Sequence, residues 1–273
     1  MSTVRLAILD LYDGTPNQGM RCINELVARF SHKLEWEVFD VRGKAEVPDL
    51  SFDIYISTGG PGDPRVGDGV WDEKYYEWLE SLWDWNAQPG NPRKYGFFIC
   101  HSFQMACIHF RLAEVKPRKS MAFGTFPVHM AGEGVHEPLF EGLPNPFFIA
   151  DFRHYQVIQP KANRLRELGA EILALEKIRP HVPLERAIMG IRFSQELIGV
   201  QFHPEADPDG MLKHFLDPER RKAIVEEHGQ EKYLRMIDHL HDSDKIALTH
   251  EVILPMFLQR SIKSVEATSL IEV

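Results

Sequence analysis

The stretch YGFFICHSFQMACIHF, Tyr95–Phe110, carries the reading of the fold. It opens as a short apolar run, Phe97-Phe98-Ile99, and closes with apolar residues at helical spacing: Phe103, Ala106, Cys107 and Phe110. The period changes from strand to helix with no loop residues between, and Cys100, His101 and Ser102 sit at the change. A strand that stops at a nucleophile and passes straight into a helix holds that side chain at the carboxyl edge of a sheet. Open α/β sheets bind ligands in the crevice there. The helix N-terminus favours an anion and leaves backbone N–H groups free beside it. Taken alone, the pattern fits a buried cysteine at a strand end equally well.

Outward from this junction, strands and helices alternate. Val4–Leu9 is a nearly continuous apolar run, as in a strand covered on both faces. Gly19–Phe30 places Met20, Ile23, Leu26, Val27 and Phe30 at helical spacing after a capping Asn17. Leu34–Val41 and Asp53–Ser57 read as strands, and Trp71–Trp85 as an aromatic-rich helix whose stripe is core rather than ligand box. This rhythm predicts an α/β fold: an open, mainly parallel twisted sheet with helices on both faces. From about Gly124 to Phe202 the chain turns strand-rich, with strands at Thr125–His129, Phe147–Ala150, Gln156–Ile158, Glu171–Leu175, Ala187–Phe193 and Leu197–Phe202. Helical spacing returns at Asp207–Asp217, Gln230–His241 and Lys245–Gln259, where Pro255 should kink or shorten the last helix. Residues 1–206 thus form one α/β domain and 207–273 a helical C-terminal extension.

Composition narrows the function. A chain of 273 residues, 44% hydrophobic and 26% charged, matches a globular protein with a full core. No apolar run is long enough to cross a bilayer, and Asp10 and Asp13 interrupt the first strand where a secretory signal would be apolar. The net charge of −9 disfavours a nucleic-acid partner, because a phosphate backbone is held by clustered Lys and Arg. The three cysteines show no metal-ligand spacing and suit a reducing cytoplasm. The 13 histidines form no HExxH pattern, so no metal site is expected.

Two further segments bear on Cys100. YISTGGPGDP, Tyr55–Pro64, ends a strand in glycines that let main chain approach a ligand, or else forms an ordinary loop. GVQFHPE, Gly199–Glu205, ends a strand in His203 with Glu205 two residues on. A base that takes a thiol proton needs a partner to fix its tautomer, which a carboxylate supplies; a capping histidine beside a proline turn is the alternative.

Together the three segments resemble the class I glutamine amidotransferases, which carry a Gly-Ile/Val-Cys-x-Gly-x-Gln elbow, a Gly-Gly-Pro-Gly-type loop and a Gln-Phe-His-Pro-Glu segment in this order. The resemblance covers roughly residues 4–206 and points to a stand-alone counterpart of the glutaminase domain of GMP synthase. It implies a flavodoxin-like fold and a cysteine-nucleophile amidohydrolase without metal or organic cofactor. By position, Cys100 would be the nucleophile, His203 the general base and then acid, and Glu205 its orienting partner. The N–H groups of Gly60 and His101 would form the oxyanion hole, while Gln104, and more loosely His154 and Tyr155, would contact substrate. Phe98 and Ser102 stand where the family usually has glycines, and Phe103 where histidine is common. The implied reaction hydrolyses the glutamine side-chain amide through a thioester and passes ammonia to a separate synthetase subunit. Two alternatives share the fold: a γ-glutamyl peptide or amide hydrolase, and a non-catalytic binding module.

Overall fold

The computed structural model describes residues 3–14, 17–179 and 184–269. The first half alternates as its spacing predicts: β1 (Val4–Asp10), α1 (Gln18–Ala28), β2 (Leu34–Asp40), α2 (Val41–Lys44), β3 (Ile54–Ser57), α3 (Trp71–Ala87), β4 (Tyr95–Ile99) and α4 (His101–His109). Then come β5 (Glu114–Met130), β6 (Phe147–Ile158), α5 (Ala162–Leu168), β7 (Glu171–Glu176), β8 (Ile188–Arg192) and β9 (Leu197–Val200). Helices α6 (Pro208–Leu216), α7 (Pro218–His228), α8 (Gln230–Leu240) and α9 (Leu248–Ser269) follow.

The strands form one 9-stranded sheet in the order β2-β1-β3-β4-β9-β8-β7-β5-β6. From β2 to β9 all neighbours are parallel, in the 2-1-3-4-5 order of flavodoxin-like sheets with β9 as fifth strand. From β9 to β6 they are antiparallel, where the sequence becomes strand-rich. Parallel strands need cover on both faces, and β3 and β9 are buried throughout. One face packs Ile23, Leu26 and Val27 of α1 and Ile253, Leu254, Phe257 and Leu258 of α9. The other packs the α3 stripe Trp71, Tyr75, Trp78, Leu79 and Leu82 and the inner side of α4.

Four elements differ from their sequence reading. The two strands expected at Phe147–Ala150 and Gln156–Ile158 are one strand, β6, because its partner β5 runs the whole length beside it. β5 itself begins at Glu114, well before Thr125; its KPRK segment is polar and carries a register shift between Pro117 and Ala122. α7 has a single buried side chain, Ile224, so it lacks the apolar stripe that reveals a helix. α9 is not shortened at Pro255 but continues to Ser269. An internal proline costs about 3 kcal/mol, and burial of Ile253, Leu254, Phe257, Leu258 and Ile262 offsets it.

Candidate active site

The carboxyl ends of β1, β3, β4 and β9 converge at one edge of the sheet. The chain leaves β4 at Cys100 in a left-handed conformation, φ 48° and ψ −95°, and enters α4 at once. A non-glycine residue held there costs on the order of 1–3 kcal/mol, so the surroundings must enforce it. Ser102 does much of this. Its hydroxyl accepts from the Ile99 N–H (2.8 Å) and donates to the Ser57 carbonyl (2.7 Å), tying the turn to β3. The residue standing in for a family glycine therefore works as a latch.

Phe98 is accommodated by a glycine on the neighbouring strand. It lies opposite Gly199 in the β4–β9 register. A Cβ added at Gly199 would sit 2.9 Å from Phe103 Cδ2 and 3.1 Å from Phe98 Cβ. The space lost at positions 98 and 103 is recovered at position 199, and both rings pack on Phe193.

His203 Nδ1 meets Glu205 Oε1 at 2.8 Å. Glu205 is fully buried, and its second carboxylate oxygen has no partner among the described residues. Cys100 and the imidazole border the same cavity, and both lie within reach of Gly59, where an added Cβ would fall 2.8 Å from His203 Cε1 and 3.6 Å from Cys100 Cβ. Burial is the largest single influence and disfavours a charged ring, but Glu205 and then Cys100 outweigh it. The result is a pKa well above the ordinary imidazole value, in favour of the protonated ring.

The loop after β3 is braced from several sides. Arg42 donates to the Pro61 carbonyl (2.5 Å) and lies over the Trp71 ring. The His101 ring is buried, and burial, then the Arg42 charge, lowers its pKa to about 4, leaving it neutral. Gly60 packs so closely on the end of β1 that a Cβ would fall 2.5 Å from the Leu11 carbonyl oxygen. The His101 N–H opens α4 and so has no intrahelical acceptor.

The remaining sequence candidates sit elsewhere. Gln104 is buried, and its amide donates to the Gln201 side-chain oxygen (3.0 Å). Gln201 in turn donates to the Cys100 sulfur at 3.7 Å. His154 is exposed, while Tyr155 joins Asp63 and Arg65 of the β3 loop. None of these three lines the cavity beside Cys100. That cavity, of about 540 Å³, is bordered by Cys100, His203, Glu205 and Gly60. Two neighbours escaped the sequence reading. Gln201 lies within the quoted His203 segment but had no assigned role. Tyr12 follows β1 at the same sheet edge, and its pKa is raised well above the phenol value by burial and then by Glu205 and Cys100.

The comparisons with known proteins bear on the family and the fold. Residues 8–220 match the family model "Glutamine amidotransferase class-I". The chain belongs to the class I glutamine amidotransferases. A glutamine amidotransferase from Thermotoga maritima superposes with a TM-score of 0.69 at 15% identity, covering 96% of this chain and 99% of that one. A glutamine amidotransferase from Methylobacillus flagellatus gives 0.66 at 14% identity, covering 96% and 94%. A GMP synthase subunit from Thermoplasma acidophilum gives 0.57 at 14% identity, covering 100% and 98%. At these identities the superpositions speak to the amidotransferase fold. A curated homoserine O-acetyltransferase from Phocaeicola vulgatus is 27% identical over 121 residues, 44% of this chain; the match spans 37% of that protein's length. Among the described residues no helix is long and apolar enough to cross a membrane.

Proposed function

We propose that this amidotransferase cleaves the amide at the γ-carboxyl of a glutamyl group, with glutamine as reference substrate, through a Cys100 thioester. The observation that carries the reading is the convergence of the Cys100 sulfur, the His203 ring and the Glu205 carboxylate (2.8 Å from the ring) at one sheet edge. In the first step the Cys100 sulfur, its proton held by His203, attacks the amide carbon as a thiolate. The carbonyl oxygen becomes an oxyanion, facing the N–H groups of Gly60 and His101 as donors. The C–N bond breaks as His203 gives its proton to the departing nitrogen. A raised imidazole pKa keeps that proton available. In the second step His203 takes a proton from water, the water oxygen bonds to the thioester carbon, and the C–S bond breaks to give glutamate and restore the Cys100 thiolate beside the protonated ring.

Glu205 holds the Nδ1 side of the ring and so directs the other nitrogen at sulfur and leaving group. Gln201, through its amide contact to the sulfur, positions the thiol. Released ammonia would serve a separate synthetase subunit. The test is glutamate release from glutamine together with mass-spectrometric mapping after exposure to a glutamine-mimicking electrophile. The reading requires a single adduct at Cys100 and loss of turnover with it; a folded protein that gives neither is a binding module.

A further inference from the structure

Around Glu176, at the end of β7, the molecule gathers more positive charge than its carboxylates match. Arg118, Arg153 and Arg179 all reach that one carboxylate, at 3.0, 3.5 and 2.7 Å. Asp151 takes part of the Arg153 charge at 2.9 Å. Arg186 donates to the Glu176 main-chain carbonyl at 2.7 Å, and its Nη2 is buried with no partner among the described residues. The Arg153, Asp151 and Glu176 side chains are buried and Arg118 is 10% exposed, so an unmatched charge here is costly.

Two lysines deepen the excess. The ammonium groups of Lys177, just after β7, and Lys232 of α8 stand 4.8 and 5.8 Å from the centre of one ring, Phe126 of β5. Both side chains are half-buried, and neither has an ion pair among the described residues. One ring shared by two ammonium groups is a weak partner and holds like charges together. Lys177, Lys232 and Arg118 are each held below the ordinary value, first by burial and next by a neighbouring cation: Arg179, Lys177 and Arg153 respectively. Glu227 acts on Lys232 only from beyond ion-pair reach. The chain as a whole has a net charge of −9, so this excess is local. None of these cations lines the cavity beside Cys100.

A monoanion would leave much of the excess in place. A phosphate monoester carries close to two negative charges at neutral pH and presents three acceptor oxygens. Guanidinium forks and ammonium point charges are the donors such oxygens take. We propose that Arg118, Lys177, Arg179 and Lys232 form a binding site for a phosphate group, separate from the Cys100 cavity and independent of the reaction read there. The Glu176 carboxylate holds the two guanidinium forks, and the two ammonium groups complete the cradle.

The test is calorimetric titration with inorganic phosphate, phenyl phosphate and pyrophosphate at constant ionic strength, with acetate and tetraglutamate as controls. The expected result is saturable binding of a phosphate compound and none of acetate. Lys177→Met/Lys232→Met should weaken that binding at least about tenfold, because hydrogen bonds to charged groups are each worth about that factor. These two residues are chosen because they hold no carboxylate, and methionine keeps a stem over Phe126. Without phosphate, the double variant should melt no more than about 4 °C below wild type, the equivalent of roughly one lost weak contact. With phosphate at about 10 mM, wild type alone should gain about 2–4 °C. Tighter binding of phenyl phosphate than of inorganic phosphate identifies an organic ester as the source, and the reverse identifies the free ion. No saturable binding of any phosphate compound, or equal binding by the double variant, overturns the proposal, as does tetraglutamate bound in their place. A double variant that melts further below wild type without phosphate also overturns it, because the lysines would then serve partners within the chain.

Discussion

At the scale of single residues, two side chains set the state of the site. Removing the nucleophile leaves only binding and oxyanion contacts, so Cys100→Ala should lower turnover by at least about 10⁴-fold. The thermal midpoint should move by no more than about 2–4 °C, the equivalent of ~1 kcal/mol for a chain of this size; a larger fall with residual turnover would return Cys100 to a packing role. The other cysteines are inert by environment. Burial pushes the Cys22 thiol up to about 12 against a hydrogen bond from the Asp207 main chain, and burial pushes Cys107 well up. Iodoacetamide at neutral pH should therefore label Cys100 and spare both, as peptide mapping will show. The raised pKa of His203 has a thermodynamic sign. Below the free imidazole value of about 6.5 the ring is protonated folded and unfolded, and its ion pairing stabilises the fold fully. Above it the unfolded ring loses its proton first, so the stability advantage of wild type over His203→Gln should shrink as pH rises. Urea unfolding at intervals from about pH 6 to about pH 9 measures this; an advantage that grows with pH contradicts the ion pair.

At the scale of elements, the elbow depends on compensation between neighbouring strands. Gly199→Ala should destabilise by about 1–3 kcal/mol, because its Cβ meets Phe98 and Phe103 in a packed core. Ser102→Ala removes the acceptor of the buried Ile99 N–H and should cost about 1–3 kcal/mol with a greater loss of turnover than stability alone explains. α9 also reaches the site. His250 hydrogen-bonds the Glu205 main-chain carbonyl at 2.9 Å, and Thr249 donates to the Phe148 carbonyl of β6 at 2.6 Å. His250→Ala should lower kcat with little change in KM, because it loosens the carboxylate that orients His203 rather than a substrate contact. An unchanged kcat, in steady-state kinetics at saturating substrate, would confine His250 to a structural role.

At the scale of the whole molecule, one face of the sheet is covered partly by the last helix. Ile253, Leu254, Phe257, Leu258 and Ile262 share a core cluster with β1, β4 and β9. A chain ending before Leu248 would expose that face, and Phe257→Ala alone should cost about 3–5 kcal/mol. The measurement is chemical denaturation: the truncated chain is expected to lose its cooperative transition. The cavity beside Cys100 is lined from both halves of the chain, by Tyr12 and Gly19 as well as by Met211 and Phe215 of α6.

Local sequence was enough to read the parallel half of the sheet, the strand-to-helix junction at Cys100 and the segments bearing Gly60, His203 and Glu205. Each shows itself through periodicity or through residue types that a short backbone segment requires. It was not enough for the start of β5 at Glu114–Pro117, which pairs only because β6 runs beside it, or for α7, which has almost no buried stripe. Nor did it reveal that Gly199 makes room for Phe98, that Tyr12 and Gln201 lie beside Cys100, or that α6 lines the 540 Å³ cavity there. Those facts depend on contacts between residues distant along the chain. Such contacts leave no local period, because each partner's environment exists only once the sheet has brought them together.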